Sequence, residues 1–493
     1  MQIETGKLWA HDLRTNLHVT LKQSPIQRKD FDQFIACYKP GRMYKRWLIL
    51  SHAFNMDGRA ASQTITDKVP YLLREGIQIE VLSAVTGVGD DRFPHRQLLP
   101  WGPSGLRFDF RHWVARKFGR GIRYRALTLI ASLLLAPFIL VERLLLGLPS
   151  QWSWALPATF HGWRKVRSGS VDLVYSTGGA WSAHLAGWWL KRITGVTWIA
   201  EIHDPLVVRS TAAAYRSTRR AKAQAWLERK ICTDADLVWW FTEQALAEAR
   251  KRNPQLGSKG FAVPAGAEPP HVTAQHAYTD SLNIGHFGSL DVSRSLAPFL
   301  NAVWIFSTRN SDARSCLRIH VYGSVLDSEA VKLLKMLQLD DLVIQHGRLE
   351  RDLVSGRSGR EQIVVHMQTS DVLLLLHGQS DACAEYIPSK LYEYFWAQRP
   401  IFALTHNNPQ LDAMIRERNG YLCATANQGS IVHGLEHLWH DWKSRALPTS
   451  KLPPVTIEST VEKVMLAVQQ IKSNRRGSGE RGDRPGRAEG SGA

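Results

Sequence analysis

An apolar run, Trp47-Leu48-Ile49-Leu50-Ser51, is followed by a loop with Gly58, then by Ile65, Val69 and Leu72–Leu73 at helical spacing, then by Gly76 and a second strand-like run, Ile77–Leu82. The first run carries no charge, as expected of a strand buried on both faces, and the stretch after it has the period of a helix. Strand, helix and strand within forty residues make the repeating unit of an α/β domain built on a parallel sheet.

The rhythm resumes at Asp172–Ser176, with a helix over Trp181–Ile193, a strand at Thr197–Glu201, a helix over Arg219–Ile231 and a strand at Asp236–Phe241. A stretch rich in Pro, Gly and His at 264–280 interrupts it. A second series starts with Leu282–Phe287 and a helix near Leu296–Phe306, followed by strands at Leu317–Tyr322, Leu342–Gln345 and Val372–Leu376. A helix over Ser389–Ala397 and a short strand, Ile401–Ala403, close it. The chain therefore reads as two Rossmann-like, doubly wound domains, one at 44–275 and one at 276–455. A charged extension, 1–43, precedes them, a helix at 456–472 follows, and the tail 473–493 lacks large apolar side chains and reads as disordered.

The 493 residues hold 62 Lys and Arg against 44 Asp and Glu, a net charge of +18 that favours polyanionic partners such as phosphate-bearing substrates, anionic lipid or nucleic acid. Cys37, Cys232, Cys316, Cys383 and Cys423 lie far apart, which leaves neither a metal spacing nor a disulfide framework. Met1 to Lys22 contains no apolar core of a secretory signal, so a reducing cytoplasm is the expected compartment.

Between about 84 and 170 the α/β rhythm breaks. Arg107, Arg111, Arg116, Lys117, Arg120, Arg123 and Arg125 run into Ala126–Val141, which carries no charge. As a helix those sixteen residues span about 24 Å, short of the roughly 30 Å hydrocarbon core, and Pro137 is expected to kink them. Extension to Leu148 brings in Glu142 and Arg143. The preferred reading is an in-plane or re-entrant hairpin contacting an anionic membrane surface, with Trp101, Trp113, Trp152, Trp154 and Trp163 as interfacial anchors. A buried core helix and a true span are the alternatives.

The most informative stretch is Glu385-Tyr-Ile-Pro-Ser-Lys-Leu-Tyr-Glu393. Pro388 suits a first helical position, which puts Ser389 and Lys390 in a first turn whose free N–H groups, with the Lys390 ammonium, suit a phosphate. Glu385 lies just before that helix and Glu393 inside it, and a carboxylate accepting two hydroxyls is the usual way to hold a sugar diol. A helix cap with a solvated Glu is the plain alternative.

Glu385 and Glu393 match the E-x7-E motif of glycosyltransferase family 4, and E-x-x-P-S-K-x-x-E-Y resembles its bacterial polysaccharide-assembly members. The likeness extends over roughly 45–470, the insertion excepted. It implies the GT-B fold, two Rossmann-like domains facing across a cleft, and transfer with retention and without a metal or other cofactor. It places Glu385 at the donor sugar and Glu393 at the nucleotide ribose. Asn283-Ile-Gly-His-Phe-Gly288-Ser289 resembles the first strand of the donor domain, which puts Gly288 and Ser289 at the nucleotide. Arg294, expected at the start of the next helix, would clamp the diphosphate with Lys390. His203, at the end of Trp198-Ile-Ala-Glu-Ile-His203-Asp204-Pro205, is placed at the sugar, and Gly58-Arg59 occupies the position of the family's glycine loop. Three positions depart from the pattern: Ile387 stands where many members have Gly, Ser289 where many have a basic residue, and Leu206 where related enzymes have Trp.

The expected activity is transfer from a nucleoside-diphosphate sugar to a lipid-linked, membrane-resident acceptor in exopolysaccharide, capsule or lipopolysaccharide assembly. The protein would sit on the inner face of the cell membrane, with no nucleic-acid partner. A catalytically silent sugar-nucleotide binder is the first rival, permitted by the three departures. A nucleic-acid-binding protein is the second, although no recognition module is visible. A GT-B epimerase, which needs no acceptor, is a lesser one.

Overall fold

The computed structural model describes residues 44–56, 60–207, 217–323, 325–350, 352 and 354–479. Seven strands build one parallel sheet: β1 (Arg46–Leu50), β2 (Gln78–Ala84), β3 (His95–Leu98), β4 (Leu173–Thr177), β5 (Thr197–Ile202), β6 (Leu237–Trp240) and β7 (Gly260–Ala262). Six build a second: β8 (Leu282–Gly288), β9 (Leu317–Gly323), β10 (Val343–Gly347), β11 (Val372–Leu376), β12 (Ile401–Thr405) and β13 (Tyr421–Ala424). Both sheets lie in one compact unit, Tyr44–Val464.

Strand order is β3-β2-β1-β4-β5-β6-β7 in the first sheet and β10-β9-β8-β11-β12-β13 in the second. Each sheet therefore reverses direction once, between β1 and β4 and between β8 and β11, and a crevice opens at the carboxyl ends of those pairs. Central strands are sealed on both faces. Val372 to Leu376 are all buried, and Trp47 lies opposite Ile79 on one side and Leu173 on the other.

The helices include α1 (Pro103–Phe118), α2 (Ile122–Leu145), α3 (Glu243–Arg252), α4 (Gly359–Thr369), α5 (Lys390–Ala397) and α6 (Ile457–Gly479), of which α1 and α2 make up most of the insertion. Several elements differ from the expectation. The insertion holds a strand, β3, paired with β2, and the second series continues past Ile401 to β13. Both are four-residue strands at or near an edge, too short to show a period. α5 starts at Lys390, with Ser389 just before it and Pro388 outside; bonds from Leu391 N to the Pro388 carbonyl and from Tyr392 N to the Ser389 carbonyl, each three residues apart, make its entry a tight turn. The helix after β8 starts at Ala297, which leaves Arg294 in a loop closed by an Asp291–Arg294 bridge. α6 runs past residue 472 to Gly479, and residues 480–493 lie outside the described residues.

α2 is continuous across Pro137 and is 24 residues long, which corrects the expectation of a segment too short to span. Only 6% of its most apolar stretch is buried, which overturns the core-helix alternative.

Candidate active site

The β8/β11 crevice collects one group of predicted residues. Gly288 ends β8 with φ +154°, a conformation that favours glycine, and Ser289 follows, exposed. The loop beyond it lies against the loop after β11: Gln379 N donates to the Ser293 carbonyl at 3.1 Å. A Cβ on Gly378 would lie 2.5 Å from Cys383 Sγ and 3.1 Å from that same carbonyl, so only glycine lets the two loops meet. Arg294 donates to Asp291 Oδ2 at 3.2 Å. Its guanidinium lies near enough to His286 to help depress that imidazole, which burial pushes down to about 4, so His286 is neutral near pH 7. His286 Nδ1 donates to the Leu374 carbonyl at 3.1 Å.

The β11 loop continues into a short 3-10 turn, Asp381–Glu385. Glu385 ends it, 1% exposed. Asn408 Nδ2 holds the turn by donating to the Cys383 and Tyr386 carbonyls at 3.0 and 2.8 Å. Two contacts come from the first half of the chain. Thr242 Oγ1, at the N-cap of α3, donates to the Glu385 carbonyl at 2.7 Å. Arg252, at the other end of α3, lies 4.0 Å from the Glu385 carboxylate while gripping Glu228 with two nitrogens at 2.8 and 3.0 Å. α3 therefore holds the backbone of the residue expected at the donor sugar and sets a cation near its carboxylate.

His203 stands just beyond β5, its ring 4.9 Å from that of Phe241, the neighbour of Thr242. Its Nε2 donates to Glu201 Oε1 at 2.6 Å and lies 3.1 Å from Thr177 Oγ1, so any substrate contact falls to Nδ1. Glu201 is fully buried. It also accepts from Tyr175 Oη at 2.6 Å and Thr177 Oγ1 at 2.8 Å, and pairs with the Lys68 ammonium. Burial alone would raise the Glu201 pKa, but the charge of Lys68 and the bond from His203 hold it well below the carboxylate range. Burial lowers that of Lys68, against the opposing pull of Glu201.

Glu393 and Lys390 sit in the first turn of α5 and pair with each other, Nζ to Oε2 at 2.6 Å. Glu393 also lines a cavity of about 540 Å³ with Asp67, Tyr71, Glu268, Arg360 and Trp396. Glu385, Lys390, Gly288 and Arg294 do not line it. Gly58 and Arg59 lie outside the described residues. The structure thus joins Gly288, Ser289, Arg294, Glu385 and the surroundings of His203, and leaves Glu393 with Lys390 one element further on.

Sequence reasoning missed Glu201, Lys68, Thr242 and Arg252. The signal for Glu201 was present: a carboxylate in the strand run Trp198-Ile-Ala-Glu-Ile must be buried, and a buried charge needs a partner. No local pattern marks the other three.

No family model matches this chain, and no curated protein matches it. Solved structures do. A trehalose-6-phosphate synthase, OtsA, aligns with 88% of this chain and 98% of its own at 11% identity and a TM-score of 0.54. TarM aligns over the same shares at 10% identity and 0.53. The E. coli trehalose-6-phosphate protein bound with UDP-2-fluoro glucose does so at 11% and 0.50. These likenesses establish the fold: two parallel-sheet α/β halves in the GT-B arrangement, as the motif resemblance implied.

Proposed function

We propose that this protein is a glycosyltransferase that moves a sugar, with retention, from a nucleoside-diphosphate donor to a lipid-linked acceptor at the membrane, in polysaccharide or lipopolysaccharide assembly. The observation that carries the reading is the Thr242–Glu385 bond, which ties the loop at the donor-half crevice to the end of β6 beside His203. In a GT-B fold the reacting atoms lie between such crevices. That a fold neighbour was solved with UDP-2-fluoro glucose supports a nucleotide-sugar donor.

In this reading the β8/β11 crevice takes the diphosphate, with Arg294 as its cation and the backbone beyond Gly288 close enough to donate. Lys390 reaches the phosphates by exchanging Glu393 for them, and that exchange frees the Glu393 carboxylate for the ribose diol. Cationic side chains then stabilise the departing nucleotide in place of a metal ion. Glu385 orients the donor sugar. His203, its Nε2 engaged by Glu201, offers Nδ1 to a hydroxyl at the same face. Ile387, half-buried against the core of the second half, gives the sugar a side chain to pack on where a glycine would leave backbone. The setting is the cytoplasmic face of the cell membrane, where the basic apolar hairpin meets an anionic surface and presents the acceptor.

The test is transfer from labelled UDP-, GDP- and ADP-sugars into a lipid extract, with chelator present, comparing wild type with Glu385→Gln. Label should enter lipid with the wild type and fall at least ~100-fold in the variant, whose melting temperature should stay close to wild type. Absence of transfer from every donor, with tight donor binding retained, would replace this reading by that of a silent binder.

A further inference from the structure

We propose that the α1–α2 hairpin seats the protein on an anionic bilayer with α2 lying in the plane of the interface, its outer half-cylinder among the acyl chains, and not across the membrane. The inference rests on the membrane reading of the proposed function and specifies how that contact is made. By length alone α2 spans: 24 residues make about 36 Å, more than the roughly 30 Å of a hydrocarbon core. Three other observations decide against it.

The first is how α2 is covered. Ile130, Leu133, Leu134, Phe138, Val141 and Leu145 are each more than half exposed, whereas Thr128, Ser132, Ile139 and Glu142 are wholly or partly covered. At 3.6 residues per turn these sets fall on opposite sides, and the open side takes in roughly half the circumference. Arg107 of α1 donates to Ser132 Oγ at 2.9 Å, so α1 is what covers the other side. α1 is no membrane partner, because it carries Arg111, Arg116 and Lys117, all exposed. A half-open helix against a polar one fits an interface between oil and water.

The second is the tip. The turn Gly119-Arg120-Gly121 joins the helices, and Arg116, Lys117, Arg120, Arg123 and Arg125 surround it, exposed. A span would carry all five cations through the hydrocarbon, each at substantial cost.

The third is the base. Glu142, the charge that ends the apolar run, accepts from Ser104 N at 2.8 Å, from Ser104 Oγ at 2.5 Å and from Trp152 Nε1 at 2.5 Å. Arg219 donates to the Leu144 and Leu145 carbonyls at 2.5 and 3.2 Å. The carboxyl end of α2 is thus fastened to the body of the first half.

Charge picks a bilayer over a second copy of the chain. Within the hairpin the acids are Asp109, buried against His52 at 3.2 Å, and Glu142, held by Ser104 and Trp152, so the exposed charge is entirely positive. Two copies packed through this face would set those cations against each other, whereas anionic headgroups neutralise them.

The experiment needs no sugar donor, so its failure is distinct from failure of the transferase reading. The full chain is floated with phosphatidylcholine vesicles with or without about a quarter phosphatidylglycerol. Wild type should float with the anionic vesicles, bind at least ~10-fold more weakly to neutral ones, and lose binding in about 0.5 M salt. Leu134→Glu with Phe138→Glu should abolish flotation without moving the melting temperature, since both side chains face outward. Orientation is read with Gly121→Cys, where a Cβ meets nothing within 4 Å, alongside wild type as background. On bound vesicles a membrane-impermeant thiol reagent added outside should label this tip. A tip that labels only after detergent opens the vesicles would overturn the proposal in favour of a span. Equal binding to neutral vesicles would overturn the role of the cations. No flotation, with self-association that the Glu variants abolish, would assign the face to a second copy.

Discussion

At the scale of single residues, the best-defined chemistry lies around Glu201. A carboxylate with no exposure that accepts from Tyr175, Thr177 and His203 and pairs with Lys68 aims an imidazole and carries part of the fold's stability at once. Removing one partner of a buried pair leaves a charge without compensation. Lys68→Met should therefore destabilise the protein by about 3–5 kcal/mol, and Lys68→Met with Glu201→Gln should recover most of that. Urea denaturation of the two variants checks both, and equal losses would show that Lys68 acts by packing alone. Glu385 and Glu393 were readable because a motif fixes their spacing. The groups that meet Glu385, Thr242 and Arg252, are more than a hundred residues away in the chain, and nothing local to either marks it.

At the scale of elements, strands in the middle of each sheet were readable nearly to the residue because both faces are buried: Val372–Leu376 appears as one unbroken apolar run. Edge elements were not. Tyr421–Ala424 is half-covered, and His95–Leu98 is polar in three of four positions, since an edge strand answers to one neighbour and to solvent. The hairpin was readable as an apolar run beside arginines, but its latch was not. In the sequence Glu142 counts only as a charge set against a membrane span, whereas in the fold it serves as the anionic cap for the first turn of α1, where Ser104 N–H has no helical partner. Glu142→Ala should cost about 1–2 kcal/mol locally and speed amide hydrogen exchange in that first turn. Exchange in β8 to β13 should not change. If the turn exchanges at the wild-type rate, the Arg219 bonds to the Leu144 and Leu145 carbonyls suffice to hold the hairpin.

At the scale of the whole molecule, the two sheets belong to one compact unit, and the ties between their halves include Thr242 to Glu385, Trp396 Nε1 to the Ala267 carbonyl at 3.0 Å and Arg360 to Asp67 at 2.9 Å. Such a unit should respond as one to any stress that reaches both halves, and acid is such a stress. Burial pushes His184 of the first half down to about 3, and His286 and His377 of the second down to about 4. Above the ordinary histidine value of 6.5 neither the folded nor the unfolded chain protonates these rings, and stability is complete. Below it the unfolded chain takes up protons that the folded one refuses until about pH 4. Stability is therefore lost as the pH falls, by roughly 1.4 kcal/mol per unit for each ring, or roughly 4 for the three together. Glu201, held ionised by Lys68, adds to the loss only once the pH passes below its ordinary value of 4.5. Calorimetric melting between pH 7 and 5 should show one transition moving steeply downward, well before carboxylates titrate. A melting temperature flat over that interval would mean that these rings are already charged in the fold. Two transitions with separate pH dependences would mean that the ties between the halves do not couple them.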